Sequence, residues 1–205
     1  MNTPEASMLG KDVAYPTAYD PGLLFPIPRR EARARLGLGE ALPFVGVDVW
    51  NAYELSWLDS RGKPQVALAE LRVPAGSPQL IESKSLKLYL NAFAQERFAN
   101  AEALRATLVA DLSAAAGAPV SVSLIAPTSP QAFPVSVLPG ELIDSLPIAI
   151  EHYGPPDPGL LVADAAEWGE ETLVSHLFRS NCPVTGQPDW ASLQIAYAGP
   201  RLDRA

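Results

Sequence analysis

The sequence predicts an α+β fold, and three observations support this. Short runs in which apolar and polar residues alternate recur along the chain, as in half-buried strands. One longer segment has apolar residues at the spacing of an amphipathic helix. The 21 prolines among 205 residues fix many turns and leave room for few long helices. Strand pairs grouped around a few helices are typical of α+β domains.

The predicted elements follow one another in this order. Residues 1–45 are expected to be irregular, with a proline-rich stretch at 21–28 and an arginine-rich piece at 29–35. Residues 85–93 are expected to be helical or turn-like. The predicted strands are 44–57, 65–73, 120–124, 148–151, 172–178 and 190–197.

The clearest helix covers residues 100–116. Leu104, Leu108 and Leu112 recur every four residues and so share one face. Asn100 can cap the start of the helix, and Gly117 can end it. The spacing and both end signals therefore predict an amphipathic helix here.

An internal repeat divides the chain. Residues 62–65 (Gly-Lys-Pro-Gln) match residues 186–189 (Gly-Gln-Pro-Asp), and a strand-like run follows each of them. Only the second copy has the cysteine, and Leu58 takes its place in the first. We therefore predict a duplicated module with its functions divided between the copies. The expected parts are an N-terminal extension at 1–45, a first module at 46–126, a proline-rich connection at 127–165 and a second module at 166–205.

Composition and charge argue against several classes of protein. The formal net charge of −8 argues against general nucleic-acid binding, which needs a basic face. The single cysteine excludes an internal disulfide and suits a reducing compartment. No run approaches the length of a membrane span, and the N-terminus lacks the layout of a secretory signal. A cytoplasmic protein is therefore expected.

Cys182 and Asp189 flank a turn rich in proline and glycine. Such a turn is rigid, so neither side chain needs much ordering on binding. A cysteine attacks as its thiolate, and a neighbouring acid can deliver a proton once attack has occurred. The alternative is that Cys182 is a small buried hydrophobic residue and Asp189 ends a turn. The pair alone leaves both interpretations open.

Two lysines, Lys84 and Lys87, stand close together in this acidic chain. Ser83 and Ser85 beside them supply hydroxyl groups. Lysines next to hydroxyls at the start of a helix are well suited to phosphate groups. The alternative is an ordinary solvated helix start with Glu82 near its N-terminus.

Two common cofactor motifs are missing from the sequence. Residues 37–42 (Gly-Leu-Gly-Glu-Ala-Leu) lack the third glycine and the preceding strand of a dinucleotide fingerprint. Any nicotinamide cofactor must therefore bind outside a Rossmann site. The sequence also has no Cys/His cluster for zinc, so no metal is expected.

Residues 82–89 (Glu-Ser-Lys-Ser-Leu-Lys-Leu-Tyr) and 182–189 (Cys-Pro-Val-Thr-Gly-Gln-Pro-Asp) together resemble one family, the NADPH-dependent 7-cyano-7-deazaguanine reductases of queuosine biosynthesis. The Glu-Ser-Lys motif precedes the cysteine, as in the long, two-module form of the family. Residues 48–50, 53–57 and 175–177 also resemble the long form, and the resemblance covers nearly the whole chain. It implies tandem tunnelling-fold (T-fold) modules, with antiparallel sheets that carry helices on one face.

The resemblance also implies a mechanism in tRNA modification. Cys182 attacks the nitrile carbon of 7-cyano-7-deazaguanine (preQ0) to give a thioimide, and Asp189 protonates the nitrogen. Two NADPH molecules then give the primary amine, 7-aminomethyl-7-deazaguanine (preQ1). The pocket is expected at an interface between modules or subunits, and the protein is expected to be a homodimer. The implied substrate-binding residues are Ile81, Glu82 and Ser83, and the implied NADPH-binding residues are Ser83, Lys84 and Lys87.

Two alternatives accompany this hypothesis. The spacing from Pro64 to Glu82 would place the second copy's counterpart of Glu82 at position 206, beyond the 205 residues of the sequence. The second module is therefore expected to be incomplete and to lack the family's His-Glu pair. The first alternative is thus a family member that binds preQ0 or a partner chain without turnover. The second is a cysteine hydrolase that uses Cys182 and His176, whose spacing follows no hydrolase signature.

Overall fold

The structure of the protein is a computed structural model that describes residues 2–8, 10–12, 15–129, 136–151, 153–154 and 157–204. The chain divides into two units, Met1–Pro134 and Val135–Ala205. Its described helices are α1 (Arg29–Arg35), α2 (Ser83–Asn91) and α3 (Ala101–Ala116). Its described strands are β1 (Pro26–Pro28), β2 (Val47–Leu58), β3 (Pro64–Pro74), β4 (Gln79–Ile81), β5 (Ser121–Ile125), β6 (Glu141–Leu142), β7 (Ala163–Asn181) and β8 (Pro188–Leu202). Mostly antiparallel strands with separate helices confirm the predicted α+β class.

The first unit is built on a three-stranded antiparallel sheet in the order β2–β3–β5. β2 and β3 form a hairpin, and Gly62 in its turn has a φ of 86°, a backbone conformation that favours glycine. The predicted strands at 44–57, 65–73 and 120–124 are therefore confirmed, with ends that differ by up to three residues.

A β-bulge interrupts β2, because Tyr53 and Glu54 together lie opposite a single residue of β3. Ala52, before the bulge, packs against the core, and Leu55, after it, is buried in the core. In an unbroken strand, side chains three residues apart would point to opposite faces. The extra residue thus lets both halves of β2 face the same core.

Helix α3 begins and ends where the sequence predicts. The side chain of Asn100 accepts a hydrogen bond of 2.9 Å from the backbone N–H three residues on. Gly117 follows the last turn with a φ of 68°, in the left-handed region. The buried face carries the predicted leucines, Leu104, Leu108 and Leu112.

The core of the first unit lies between one face of the sheet and the helices α2 and α3. At its edge Asp111 of α3 holds two tyrosines, since the hydroxyls of Tyr19 and Tyr89 each donate to Asp111 Oδ2 at 2.7 Å. Tyr89 also packs edge-on against Phe93, with ring centroids 5.1 Å apart. Burial, and then the hydrogen bond to Asp111, raises the pKa of Tyr19 to about 12 and also raises the pKa of Tyr89.

Part of the N-terminal region is regular, so the prediction that 1–45 is irregular was wrong there. β1 pairs with β4, and Ile27 lies opposite Leu80. Helix α1 follows directly, and the Arg29 guanidinium at its start bonds Asp48 and the hydroxyl of Ser77. Proline is tolerated in an edge strand because its missing N–H can face away from the partner. Long-range pairing therefore orders a stretch that looks like loop in the sequence.

The second unit is a long antiparallel hairpin of β7 and β8, with β6 added in parallel to β7. The predicted strands at 172–178 and 190–197 are confirmed as parts of these longer strands. The strand predicted at 148–151 was wrong, because these residues have no regular structure. Pro147 precedes them and lacks the N–H that a strand would donate.

Candidate functional site

The Glu82 carboxylate caps helix α2. Its Oε1 accepts hydrogen bonds from the Lys84 N–H at 2.7 Å and the Ser83 hydroxyl at 3.3 Å. Its Oε2 accepts a hydrogen bond from the Ser85 N–H at 2.8 Å. A carboxylate suits this position because it satisfies N–H groups at the positive end of the helix dipole. A carboxylate has about four acceptor positions, so one remains for a ligand.

Ile81 and Glu82 are both buried, with 3% and 4% of their surface exposed. Ile81 ends β4, and its side chain belongs to the core cluster. A ligand would therefore meet the backbone of Ile81 rather than its side chain. The structure does place this predicted residue beside the Glu82 cap.

The other predicted residues of α2 fall into two places. Ser83 and Lys87 lie one turn apart, are exposed, and line the same pocket. The Lys84 ammonium instead donates a hydrogen bond to the backbone carbonyl of Lys11 at 2.5 Å. The structure thus brings Ser83 and Lys87 together, while Lys84 is held by the N-terminal region.

The pocket has a volume of about 470 Å³ and lies between α2 and the bulged part of β2. The bulge residues Tyr53 and Glu54 line it, and so does Trp50. Residues 48–50 and 53–57 resemble the long form of the family in sequence, but no role in the site was predicted for them. Apolar residues continue at odd positions through 53–57 in the sequence, so the bulge that forms this wall of the pocket left no local signal there.

Cys182 begins the tight turn between β7 and β8. Its N–H donates to the carbonyl of Gln187 at 2.8 Å, and its carbonyl accepts from the Gly186 N–H at 2.9 Å. Gly186 has a φ of 70°, which a residue with a side chain rarely adopts. Asp189 lies opposite Ser180, which is two residues before the cysteine. The turn therefore holds Cys182 and Asp189 at the same end of one hairpin.

Local donors favour the thiolate of Cys182. The Thr185 hydroxyl, followed by the backbone N–H groups of Thr185 and Val184, lowers the pKa of Cys182 below its usual value. Desolvation and the negative charge of Asp189 act in the opposite direction. The cysteine is only partly buried, so a ligand can reach it. This arrangement supplies an accessible nucleophile with a carboxyl group close enough to affect it.

The hydrolase pairing of Cys182 with His176 does not fit the structure. His176 Nδ1 bonds the hydroxyl of Ser192 at 2.7 Å, and its backbone N–H donates to Asp144. His176 lies on β7 six residues before the cysteine. At roughly 3.3 Å per residue, that separation is about 20 Å along the strand. The imidazole therefore cannot act as the base for this thiol.

Among the described residues, no group of three or more His, Cys, Asp or Glu side chains could hold a metal ion. Within the same part of the chain, no helix is both long enough and apolar enough to cross a membrane.

Comparison with known proteins identifies the family. The family model described as nitrile reductase, 7-cyano-7-deazaguanine-reductase N-terminal, matches residues 15–124. An NADPH-dependent 7-cyano-7-deazaguanine reductase of Stenotrophomonas maltophilia K279a is 60% identical over 206 residues, which cover 100% of this chain and 74% of that protein. The protein of the same name from Xanthomonas campestris pv. campestris B100 is 58% identical and matches 100% of this chain and 73% of its own length. The one from Bordetella pertussis Tohama I is 59% identical and matches 96% of this chain and 72% of its own length. The chain therefore belongs to the 7-cyano-7-deazaguanine reductase family of nitrile reductases.

Proposed function

We propose that this protein reduces the nitrile of preQ0 to the primary amine of preQ1 with two molecules of NADPH, in the biosynthesis of the tRNA nucleoside queuosine. Relatives that are 58–60% identical are named NADPH-dependent 7-cyano-7-deazaguanine reductases. The observation that carries the proposal is the turn at Cys182. There, neighbouring donors favour the thiolate, and Asp189 lies at the same end of the hairpin.

The chemistry of this turn begins with attack on the substrate. The Cys182 thiolate forms a C–S bond to the nitrile carbon, while one π bond of the nitrile breaks and its electron pair moves to nitrogen. Asp189 accepts the thiol proton as the thiolate forms and gives it to that nitrogen. The product is a thioimide on Cys182. Covalent capture divides one difficult reduction into easier steps.

NADPH, when bound, supplies the hydride for each reduction. Ser83 and Lys87 fit its phosphate groups, since they present a hydroxyl and a cation beside the pocket. The N–H groups at the start of α2 are already taken by Glu82, so phosphate recognition falls to these side chains. Lys84 would join them by exchanging the Lys11 carbonyl for a phosphate oxygen.

Glu82 is the proposed acceptor for the N–H donors of the deazaguanine, together with the backbone of Ile81 and with Ser83. One acceptor position of the Glu82 carboxylate is open, and the Ser83 hydroxyl can rotate away to open a second. A buried carboxylate that is already fixed in orientation suits recognition of a flat, donor-rich ring edge.

The duplication into tandem T-fold modules, at residues 46–126 and 166–205, is also a proposal. The hairpins β2–β3 and β7–β8 support it, because each has a glycine of positive φ in its turn, Gly62 and Gly186. In each, a proline two residues later begins the next strand, β3 or β8. The parts outside the modules would be the extension at 1–45 and the connection at 127–165.

We propose further that the protein is a cytoplasmic homodimer without direct nucleic-acid contacts. Three large apolar side chains of the second unit, Trp168, Phe178 and Trp190, are at least half exposed, which supports association with another copy. The net charge of −8 supports the absence of nucleic-acid binding.

Intact-protein mass spectrometry after incubation with preQ0 tests the proposal, with Cys182→Ala as the matched control. The expected result is a mass increase equal to one preQ0 in the unmodified protein and none in the variant. Addition of NADPH should then release preQ1, with two NADPH oxidised for each preQ0. An adduct without NADPH oxidation would contradict the reductase and support binding alone.

A further inference from the structure

We propose that Ser85 is a positioning residue that sets the orientation of the Glu82 carboxylate. This inference rests on the proposed role of Glu82 in substrate binding and extends it to a second residue. Ser85 is fully buried, with 0% of its surface exposed, so it does not meet the substrate itself. Its effect must pass through the groups that it contacts.

Three hydrogen bonds close a ring around Ser85. Its hydroxyl donates to the Glu82 carbonyl at 2.7 Å and accepts from the Phe25 N–H at 3.0 Å. The Glu82 N–H in turn donates to the Phe25 carbonyl at 3.0 Å. The ring thus ties the start of α2 to a backbone segment about 60 residues earlier in the chain.

The ring restrains Glu82 on both sides of its Cα. Its N–H is held by Phe25, and its carbonyl accepts from both the Ser85 hydroxyl and the Leu86 N–H. Its carboxylate is held by the backbone N–H groups of Lys84 and Ser85. With backbone and side chain both fixed, the carboxylate has a single direction before any ligand arrives. Preorganisation of this kind increases affinity because binding then costs less ordering.

Loss of the hydroxyl would release this restraint. The Phe25 N–H would lose its acceptor in a partly buried place, and an N–H in that state is unfavourable. We expect the contact between Phe25 and Glu82 to open so that water can reach this group. The backbone of Glu82 would then be held only at its carbonyl, by the Leu86 N–H, and its carboxylate would meet the substrate with poorer geometry.

Ser77 offers a matched control in the same unit. It is 1% exposed, its hydroxyl donates to the Gln79 carbonyl at 2.8 Å, and it accepts from Arg29 Nε at 3.1 Å. It is therefore a buried serine with the same number of side-chain hydrogen bonds, but its partners lie outside the turn at Glu82. A purely structural role for Ser85 would make the two serines equivalent.

The test compares Ser85→Ala with Ser77→Ala in full-chain protein, through KM for preQ0, kcat and the melting temperature. Both variants should melt below the unmodified protein. Ser85→Ala alone should raise KM for preQ0 by about tenfold, with kcat within about twofold, as expected for loss of ground-state binding. If Ser85→Ala does not fold, Ser85→Cys keeps the volume, has a weaker donor, and should raise KM in the same direction.

A second arm shows whether Ser85 acts through Glu82. In a Glu82→Gln background, Ser85→Ala should change KM for preQ0 by less than about twofold, because residues that act together are not additive. An equal rise of KM in both backgrounds, or an equal rise in Ser77→Ala, would overturn the inference. If the unmodified protein turns over preQ0 normally and Ser85→Ala leaves KM for preQ0 unchanged, the inference about Ser85 is wrong and the proposed function stands. Failure of the unmodified protein to bind preQ0 would overturn the proposed function, and the inference with it.

Discussion

Replacement of Tyr89 by phenylalanine tests how the first unit is held together. The Tyr89 ring is fully buried, and its hydroxyl donates to Asp111 Oδ2 at 2.7 Å. The same oxygen accepts a hydrogen bond from Tyr19, which joins the N-terminal region to α3. Tyr89→Phe keeps the ring packing against Phe93 and removes only the hydroxyl.

The expected loss follows from the kind of hydrogen bond removed. A hydrogen bond to a charged group contributes about 1.5 to 3 kcal/mol to the free energy of unfolding. Asp111 retains the bond from Tyr19, so the carboxylate is not left without a donor. At about 4 °C per kcal/mol for a unit of this size, the melting temperature should fall by about 6 to 12 °C.

Thermal unfolding followed by circular dichroism measures this change. Tyr15→Phe is the control, because the Tyr15 side chain is 74% exposed and its variant should melt with the unmodified protein. If Tyr89→Phe also melts within about 2 °C of the unmodified protein, Asp111 does not hold Tyr89 as described.

Alkaline pH should reduce the difference between the two proteins. A tyrosine in the unfolded chain has a pKa of about 10, and burial followed by the bond to Asp111 raises the pKa of Tyr89 in the folded protein. The folded protein therefore keeps a proton that the unfolded chain loses. The stability linked to Tyr89 is fully present below about pH 10 and is lost as the pH rises further. A gap between variant and unmodified protein that widens above that pH would contradict this sign.

Three further predictions concern the cysteine turn and helix α3. Thr185→Val should raise the pKa of Cys182 and move the midpoint of its pH-dependent alkylation to higher pH, since the Thr185 hydroxyl is the main cause of the lowered pKa. An unchanged midpoint would show that Thr185 does not lower the pKa of Cys182. Asp189→Asn should move the same midpoint to lower pH, because the negative charge opposes the thiolate, yet NADPH oxidation should fall by roughly 100-fold or more with the proton donor gone. Unchanged turnover would exclude Asp189 as that donor. Asn100→Ala should lower the free energy of unfolding by about 1 kcal/mol in a denaturant titration, since it removes the cap of α3, whereas Asn100→Gly should lose only a few tenths.

Local signals account for the parts of the fold that the sequence predicts. Helix α3 has its cap, its leucine spacing and its terminal glycine within one short segment. The hairpin that carries Cys182 and Asp189 is likewise local, since its turn spans only a few residues. Such features need no knowledge of the rest of the chain.

Long-range features were beyond prediction from a single sequence. The pairing of β1 with β4 and the hydrogen bond from Phe25 to Ser85 join residues more than 50 positions apart. The strand predicted at 148–151 was wrong because a short apolar run forms a strand only where another strand pairs with it, and the sequence does not show where that happens. The Glu-Ser-Lys motif pointed to residues 82–84, but the carboxylate's use as a helix cap appears only in three dimensions.

The bulge in β2 makes the length of this strand as important as its composition. An added residue in the turn at 59–63 would lengthen a surface loop, and such changes cost little. Deletion of one residue at 53–54 would remove the bulge and place Leu55 two positions after Ala52, so simple alternation would keep Leu55 and Trp57 on the core face. The same deletion would remove one wall of the pocket beside Lys87. A single-residue deletion here would therefore keep the core side chains in place and remove the site.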